Sequence, residues 1–267
     1  MPVNLLKKPL NIAILSYRSA PFGGGQGIYV HEISKALTGL GHKVDVISGP
    51  PYPDLMSDVK LIKLPGLNLF RTFSFRERVN ILFKKKGKSL DDWYEFFSTL
   101  LGGFPEPKTF GKRAHIFLKP NNYDVIIDNQ SLSYGMLEIQ ALNPFIEIIH
   151  HPISKDYYYD LKFAKGIAQR LSKMRWHSFL PMQKKVSKKI QVIVTPSLNS
   201  KVDINGDFNV SLQNIQVIPN GIDGDIFCPL PAVKALPYRI ITTASADVPL
   251  KGLDFTLHAM VKLKSEY

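Results

Sequence analysis

The sequence contains one cysteine, Cys228, in 267 residues. An internal disulfide and a cysteine-based zinc cluster are both excluded, and a lone thiol suits a reducing compartment. Long apolar runs are missing too. No stretch approaches the roughly 20 apolar residues of a membrane span. The opening MPVNLLKKPLNIAILS has too short an apolar run for a signal peptide, because Lys7 and Lys8 lead straight into a strand. A cytoplasmic protein is expected. Acids are scarce, 22 Asp and Glu against 34 Lys and Arg, for a formal charge of +12. Such a balance favours anionic partners: sugar nucleotides, phospholipid surfaces or nucleic acid. No recognisable nucleic-acid motif is present, so charge alone would carry that case and no nucleic-acid partner is expected.

What is present is organised as strand and helix in alternation. Short β-rich runs occupy Asn11 to Ser16, Lys43 to Ser48, Val59 to Leu64, Tyr123 to Asp128, Phe145 to His150, Gln191 to Thr195 and Ile215 to Ile218. Several are continuously apolar, such as IAIL and DVII, which suits strands buried on both faces of a parallel sheet. Between the first two, Tyr29, Ile33, Ala36, Leu37 and Leu40 fall on one helical face, and Gly41 stops the helix. The expected fold is therefore α/β, a Rossmann-like parallel sheet flanked by helices.

The remainder is less regular. Residues 65 to 120 read as an insertion on the sheet's edge, with helical stretches around Phe75 to Lys88 and Asp91 to Leu101 and then a Gly/Pro segment, GGFPEPKTFGKR. Leu161 to Ile190 holds nine Lys or Arg residues and no acid. Its first half predicts an amphipathic helix with Phe163, Ile167, Leu171 and Met174 on one face, and Pro181 should end or kink it. After Ile218, PNGIDGDIFCPLPAVKALP has linker composition. A strand, Tyr238 to Thr243, and a helix from about Leu253 then open an incomplete second Rossmann unit. The expected domains are 1–228 and 229–267.

Three stretches carry candidate chemistry. Gly23, Gly24, Gly25, Gln26 and Gly27 lie between the first strand and its helix. They form either a bare turn or a loop whose amides meet an anion at a helix N-terminus. The spacing is neither a P-loop nor a complete dinucleotide fingerprint, which disfavours a nicotinamide enzyme. His150 and His151 end a strand at the sheet's ligand edge. As strand neighbours they should point to opposite sides, so one metal would not hold both. A histidine there is either a polar rim residue or a group for hydrogen bonding and proton handling. Lys251 sits between the last strand and its helix, again a phosphate-friendly position. The basic segment 161–190 is either a solvated face or a peripheral contact with anionic membrane, at the inner face, with Trp176, Phe179 and Leu180 as anchors.

Taken together, GGGQGIYVHEISKALTGLGHKVDVIS, IHHPI, VIPNGIDGDIFCP and ADVPLKGLDFTLHAM resemble the family 4 glycosyltransferases across essentially the whole chain. The resemblance implies retaining enzymes of the two-Rossmann-domain GT-B fold, with an N-terminal acceptor-side domain, a linker at PNGID and a C-terminal donor-binding domain. It implies a nucleotide-sugar donor, an unidentified glycan or lipid acceptor, and no metal or other cofactor. On this resemblance, the amides of Gly24, Gly25, Gln26 and Gly27 approach the donor diphosphate and Lys251 neutralises it as it leaves. His150 is then the histidine beside the reacting sugar, with His151 as the alternative. Two departures stand out. Ser245 and Ala246 replace the Gly-Arg that many members use to grip the diphosphate, and the family's paired glutamates fall beyond Tyr267. The expected function is that of a hexosyl-transferase, the chain alone being inactive; the rival is a non-catalytic sugar- or lipid-binding subunit paired with a separate donor-domain chain.

Overall fold

The computed structural model describes residues 8–21, 24–234, 236–242 and 252–266. Seven strands, β1 (Asn11–Ser16), β2 (Lys43–Ser48), β3 (Lys60–Lys63), β4 (Val125–Asn129), β5 (Phe145–Ile148), β6 (Ile193–Thr195) and β7 (Ile215–Val217), form one sheet. Their order is β3-β2-β1-β4-β5-β6-β7, and every neighbouring pair is parallel. The seven runs read from the sequence between Asn11 and Ile218 are all strands. Most of the later ones are shorter than expected.

The continuous apolar runs have the two-sided burial they imply. Along β1, Ala13 and Leu15 join one core while Ile12 and Ile14 join the other. Burying each such side chain contributes about 1.5–3 kcal/mol before the cost of ordering it. Helix α1 (Gly25–Gly39) covers the second face through Val30, Ile33 and Leu37. Gly41, at φ 87°, follows its end in the left-handed conformation that glycine permits. The other face is covered by residues from later helices. Past α2 (Phe75–Lys84) and α3 (Leu90–Leu100), these are α4 (Glu106–Leu118) and α5 (Tyr134–Gln140). Beyond α6 (Ser154–Lys162) and α7 (Gly166–Trp176) come α8 (Leu180–Ser187) and α9 (Leu198–Phe208). Because β1 lies between β2 and β4, the chain leaves it to opposite sides. A crevice opens outside the carboxyl ends of β1 and β4, where open α/β sheets bind ligands.

Three sequence expectations change. The Gly/Pro segment after Leu101 is not an irregular edge insertion: Glu106 starts α4, with Pro107 in its first turn, and Phe110, Ala114 and Leu118 enter the main core. A first-turn proline loses no intrahelical hydrogen bond, so it begins a helix as readily as it ends one. Only α2 and α3 stand aside, on a small cluster of Leu67, Leu69, Leu82 and Phe96. The basic segment is likewise not one helix. The chain breaks after α6 and Gly166, at φ 83°, begins α7, while Pro181 lies in the first turn of α8 instead of ending a helix. Finally, residues 238–242 form no strand, and Thr243 lies outside the described residues. Helix α10 (Leu253–Glu266) is present.

Helices α4 and α5 touch backbone to backbone. A Cβ on Gly135 would lie 2.2 Å from the Gly111 carbonyl oxygen, whereas one on Gly206, in α9, meets nothing within 4 Å. Gly135→Ala is expected to lower the unfolding free energy by about 2–3 kcal/mol, and Gly206→Ala to raise it by up to about 1 kcal/mol. Urea unfolding of both variants checks the pair; equal effects of the two would refute this reading.

Candidate active site

The loop after β1 explains its glycines individually. Gly24 is the N-cap residue of α1 at φ 124°, a conformation that side chains resist. At Gly27 a Cβ would meet the Ala20 carbonyl oxygen at 2.2 Å, so this glycine is needed for the loop to close over the helix. Gly25 is different: nothing lies within 4 Å of where its Cβ would be, and it borders a cavity of about 370 Å³. No side chain caps α1 and its first turn has no acid, which leaves the positive end of the helix dipole uncompensated from within the helix. Gly23 and Lys251, both named from the sequence, lie outside the described residues.

The same cavity is bordered by Gln26 and Tyr29 from α1, Gln130 after β4, and His150 and His151 after β5. Strand β5 ends at Ile148, two residues earlier than expected, so both histidines occupy the following turn. Strict alternation no longer applies there, and the two border one cavity instead of opposite sides of the sheet. Their surroundings differ. The His150 amide donates to Gln130 Oε1 at 2.8 Å, its carbonyl accepts from Ser200 Oγ at 2.9 Å, and its Nε2 meets Asn129 Oδ1 at 2.8 Å. With that oxygen as acceptor, Nε2 carries the proton and Nδ1 keeps a lone pair. Tyr29 lies edge-on to the ring, 4.6 Å between centroids. Burial, and then the neighbouring His151, pushes the imidazole down to about 4, so it is neutral at physiological pH. His151 is more exposed and pairs its Nε2 with Asp156 at 2.9 Å.

Beneath this turn lies a carboxyl pair. Asp128 and Glu147 are register partners on β4 and β5, and both are fully buried. Asp128 accepts from the Ser131 amide at 2.8 Å, from the Leu132 amide at 3.3 Å and from Ser131 Oγ. These bonds hold a loop in which Gln130 and Leu132 have positive φ, 58° and 47°. Neither side-chain oxygen of Glu147 has a partner at full hydrogen-bond geometry. Burial, followed by the Asp128 charge, holds Glu147 well above the usual carboxyl range. Gln130, positioned by this loop, bridges the histidines: besides the His150 amide, its Nε2 donates to the His151 carbonyl at 2.8 Å.

Asn129 and Gln130 went unread in the sequence, although polar residues directly after an apolar strand at the ligand edge are a usable signal. The expectation of no metal is not helped by the absence of an Asp-x-Asp pair, because Asp223-Gly224-Asp225 is one. Here Asp223 forms an ion pair with Lys35 on α1 at 2.9 Å. No group of three or more His, Cys, Asp or Glu suited to a metal occurs among the described residues.

These features make the crevice the ligand-binding edge of a doubly wound α/β protein, with a helix start suited to phosphate and a neutral histidine facing the same space. The chain belongs to Glycosyltransferase Family 4, whose sequence profile matches residues 23–225. It is 41% identical, over 261 residues, to the MMP alpha-(1->4)-mannosyltransferase of Mycolicibacterium hassiacum. That match covers 96% of this chain and 62% of the relative, so the chain spans less than two thirds of the relative's length. Among solved structures, a glycosyltransferase from Rickettsia africae ESF-5 is similar over 82% of this chain and 45% of its own, with a TM-score of 0.41 and 16% identity. WaaG, a glycosyltransferase involved in lipopolysaccharide biosynthesis, is similar over 80% and 46%, with a TM-score of 0.44 and 14% identity.

The neutral His150 has a stability signature. Its folded pKa lies below the unfolded value, so the folded state binds fewer protons and loses stability as pH falls from about 6.5 to about 4. The loss is expected to reach at most about 3 kcal/mol. Glu147 acts in the opposite sense: its raised pKa means its contribution is lost as pH rises above the unfolded carboxyl value. The difference between wild type and His150→Gln across this window isolates the histidine. Parallel pH profiles for the two proteins would refute the assignment.

Proposed function

We propose that this protein transfers a sugar from a nucleotide-sugar donor to a glycan or lipid acceptor, with retention at the anomeric carbon, and that the described residues supply mainly the acceptor side of the cleft. The carrying observation is that the uncapped start of α1 and the neutral His150 border one cavity. Family membership supports the reaction class, and the name of the Mycolicibacterium hassiacum relative points to mannose as the transferred sugar. The non-catalytic alternative has no comparable support, because the relative is a transferase.

In this reaction the bond from the anomeric carbon to the diphosphate oxygen breaks, and its electron pair leaves with the diphosphate. The acceptor hydroxyl oxygen bonds to the same carbon on the same face and gives up its proton to the departing diphosphate oxygen. Negative charge grows on the leaving group, where stabilisation matters most. Amides of Gly24, Gly25 and Gln26 and the dipole of α1 oppose that charge; Lys251, carried over from the family resemblance, adds a cation. The Nδ1 lone pair of His150 accepts a hydrogen bond from a sugar hydroxyl, and Asn129 fixes the tautomer that makes this available. This scheme uses protein groups alone and calls on no metal.

His150→Ala is expected to lower kcat and kcat/KM together by about 10²-fold, as loss of one transition-state hydrogen bond does. The donor Kd should change less than about threefold, and His151→Ala should cost less than about tenfold in turnover. Steady-state kinetics with calorimetry of donor binding makes the test. Intact turnover in His150→Ala, with loss in His151→Ala, would transfer the role to the neighbour.

The basic segment supports a second proposal, peripheral contact with anionic membrane. Phe179 and Leu180, expected as anchors, are instead buried in the main core, whereas α7 buries none of its residues and exposes Ile167, Leu171 and Met174 beside Lys165, Arg170 and Arg175. Each cation near an anionic surface contributes about 1 kcal/mol, screened within a Debye length of roughly 10 Å. Sedimentation with phosphatidylserine-containing vesicles should exceed that with neutral ones and fall with salt. Equal sedimentation with both would defeat the idea. No helix among the described residues is long and apolar enough to cross a membrane.

A further inference from the structure

A second cavity, of about 400 Å³, adjoins the His150 cavity and shares Ile153 and Asp156 with it. Part of its lining is an aromatic stack: Phe104 lies nearly parallel to Trp176, at 5.0 Å between centroids and 28° between planes. Phe179 backs Phe104 at 5.6 Å. Another part is Tyr159 with Phe163, stacked at 6.3 Å and 13°. Core aromatics are normally covered, yet Trp176 is 38% exposed and Phe163 52%.

The polar part of the lining has one sign. Asp156 and Asp160 border the cavity together with His177, and no lysine or arginine does. In a chain with a net charge of +12 this is a local reversal. His177 is 5% exposed; its Nε2 meets Asp160 Oδ2 at 3.0 Å, while its buried Nδ1 has no partner. A buried polar atom without a partner costs roughly 1–3 kcal/mol, so its presence beside a cavity points to something that enters. Asp160 also accepts from Lys173 at 3.0 Å, which leaves Asp156 as the carboxylate nearer the reaction centre, already held by His151.

We infer that this second cavity binds the acceptor as a neutral glycoside. The aromatic faces take the C–H face of a sugar ring, a flat apolar surface that ring stacking buries without leaving polar atoms unpaired. Hydroxyl groups donate to the carboxylates, which accept only. A phosphorylated or otherwise anionic acceptor is disfavoured by the same two carboxylates. Shared lining at Ile153 and Asp156 lets one end of the bound glycoside reach the space beside His150. Binding of the glycoside is argued from the cavity itself; calling it the acceptor rests on the transferase reading above.

The chain has two tryptophans, so Trp93→Phe leaves Trp176 as a single fluorescent reporter inside the cavity. The probes are the methyl α-glycosides of mannose, glucose and galactose, with mannose 6-phosphate and glucose 6-phosphate as anionic controls. At least one methyl glycoside should change Trp176 emission saturably, and the sugar phosphates should bind at least tenfold more weakly. Phe163→Ala, a change at an exposed position, should raise the glycoside Kd at least fivefold while leaving nucleoside diphosphate binding, followed by calorimetry, within twofold. The inference fails if no glycoside moves the emission, if the phosphates bind more tightly, or if Phe163→Ala weakens nucleotide and glycoside alike. Glycoside binding in a protein that transfers no sugar keeps this site and rejects the transferase reading, so the two failures are separable.

Discussion

The parallel pairing of β1 with β4 is the constraint on which the rest of the molecule depends. It joins two strands that are distant in the chain, Ile12 to Leu15 beside Val125 to Asp128. The direction of winding reverses at this pair, since β2 and β3 go one way and β5 to β7 the other. Parallel strands need crossovers, and each crossover returns a loop to the carboxyl edge. Loops after β1 and β4 therefore diverge there, and the crevice between them is a product of topology before any side chain is chosen. The glycine loop and Gln130 border it because they follow those two strands; His150 and His151 follow β5, next in order.

Within that frame, precision comes from buried polar contacts. Asp128 and Glu147 sit on adjacent central strands, where an unpaired carboxylate is costly, and burial with the Asp128 charge raises the Glu147 pKa accordingly. Asp128 then spends its remaining acceptor capacity on the loop after β4. That loop places Gln130, and Gln130 places the backbone of both histidines. The backbone position of both histidines is thus set by a chain of hydrogen bonds. Asn129, one residue after Asp128, completes it with its hydrogen bond to His150 Nε2.

Charge is distributed to match. Positive side chains dominate the exterior of α7, while the crevice has the uncapped positive end of α1 on one side and the carboxylates Asp156 and Asp160 further along. The two ends of the crevice thus carry opposite electrostatic character. Lys35 and Asp223 join α1 to the segment after β7 at a third position, so the passage towards residue 228 is anchored to the first helix.

Local chemistry determined most of the architecture. Strands with both faces buried favour continuous apolar runs, so β1 and β4 declare themselves in IAIL and DVII, and with them the parallel α/β class. The glycine loop and the paired histidines were visible for the same reason, as residue types placed at strand ends. What one-dimensional patterns could not decide was anything set by distant partners. Pro107 and Pro181 read as breakers but begin helices, because a proline's effect depends on whether its missing amide would have had a partner. Tyr238 to Thr243 reads as a strand, but its described residues, 238–242, pair with no strand among the described residues, and local propensity alone makes no ladder. Asp128, Asn129 and Gln130 look like the frayed end of a strand in the sequence. Only the register with β5, some 20 residues later, makes them the support of His150, because hydrogen bonds and desolvation act across space and not along the chain.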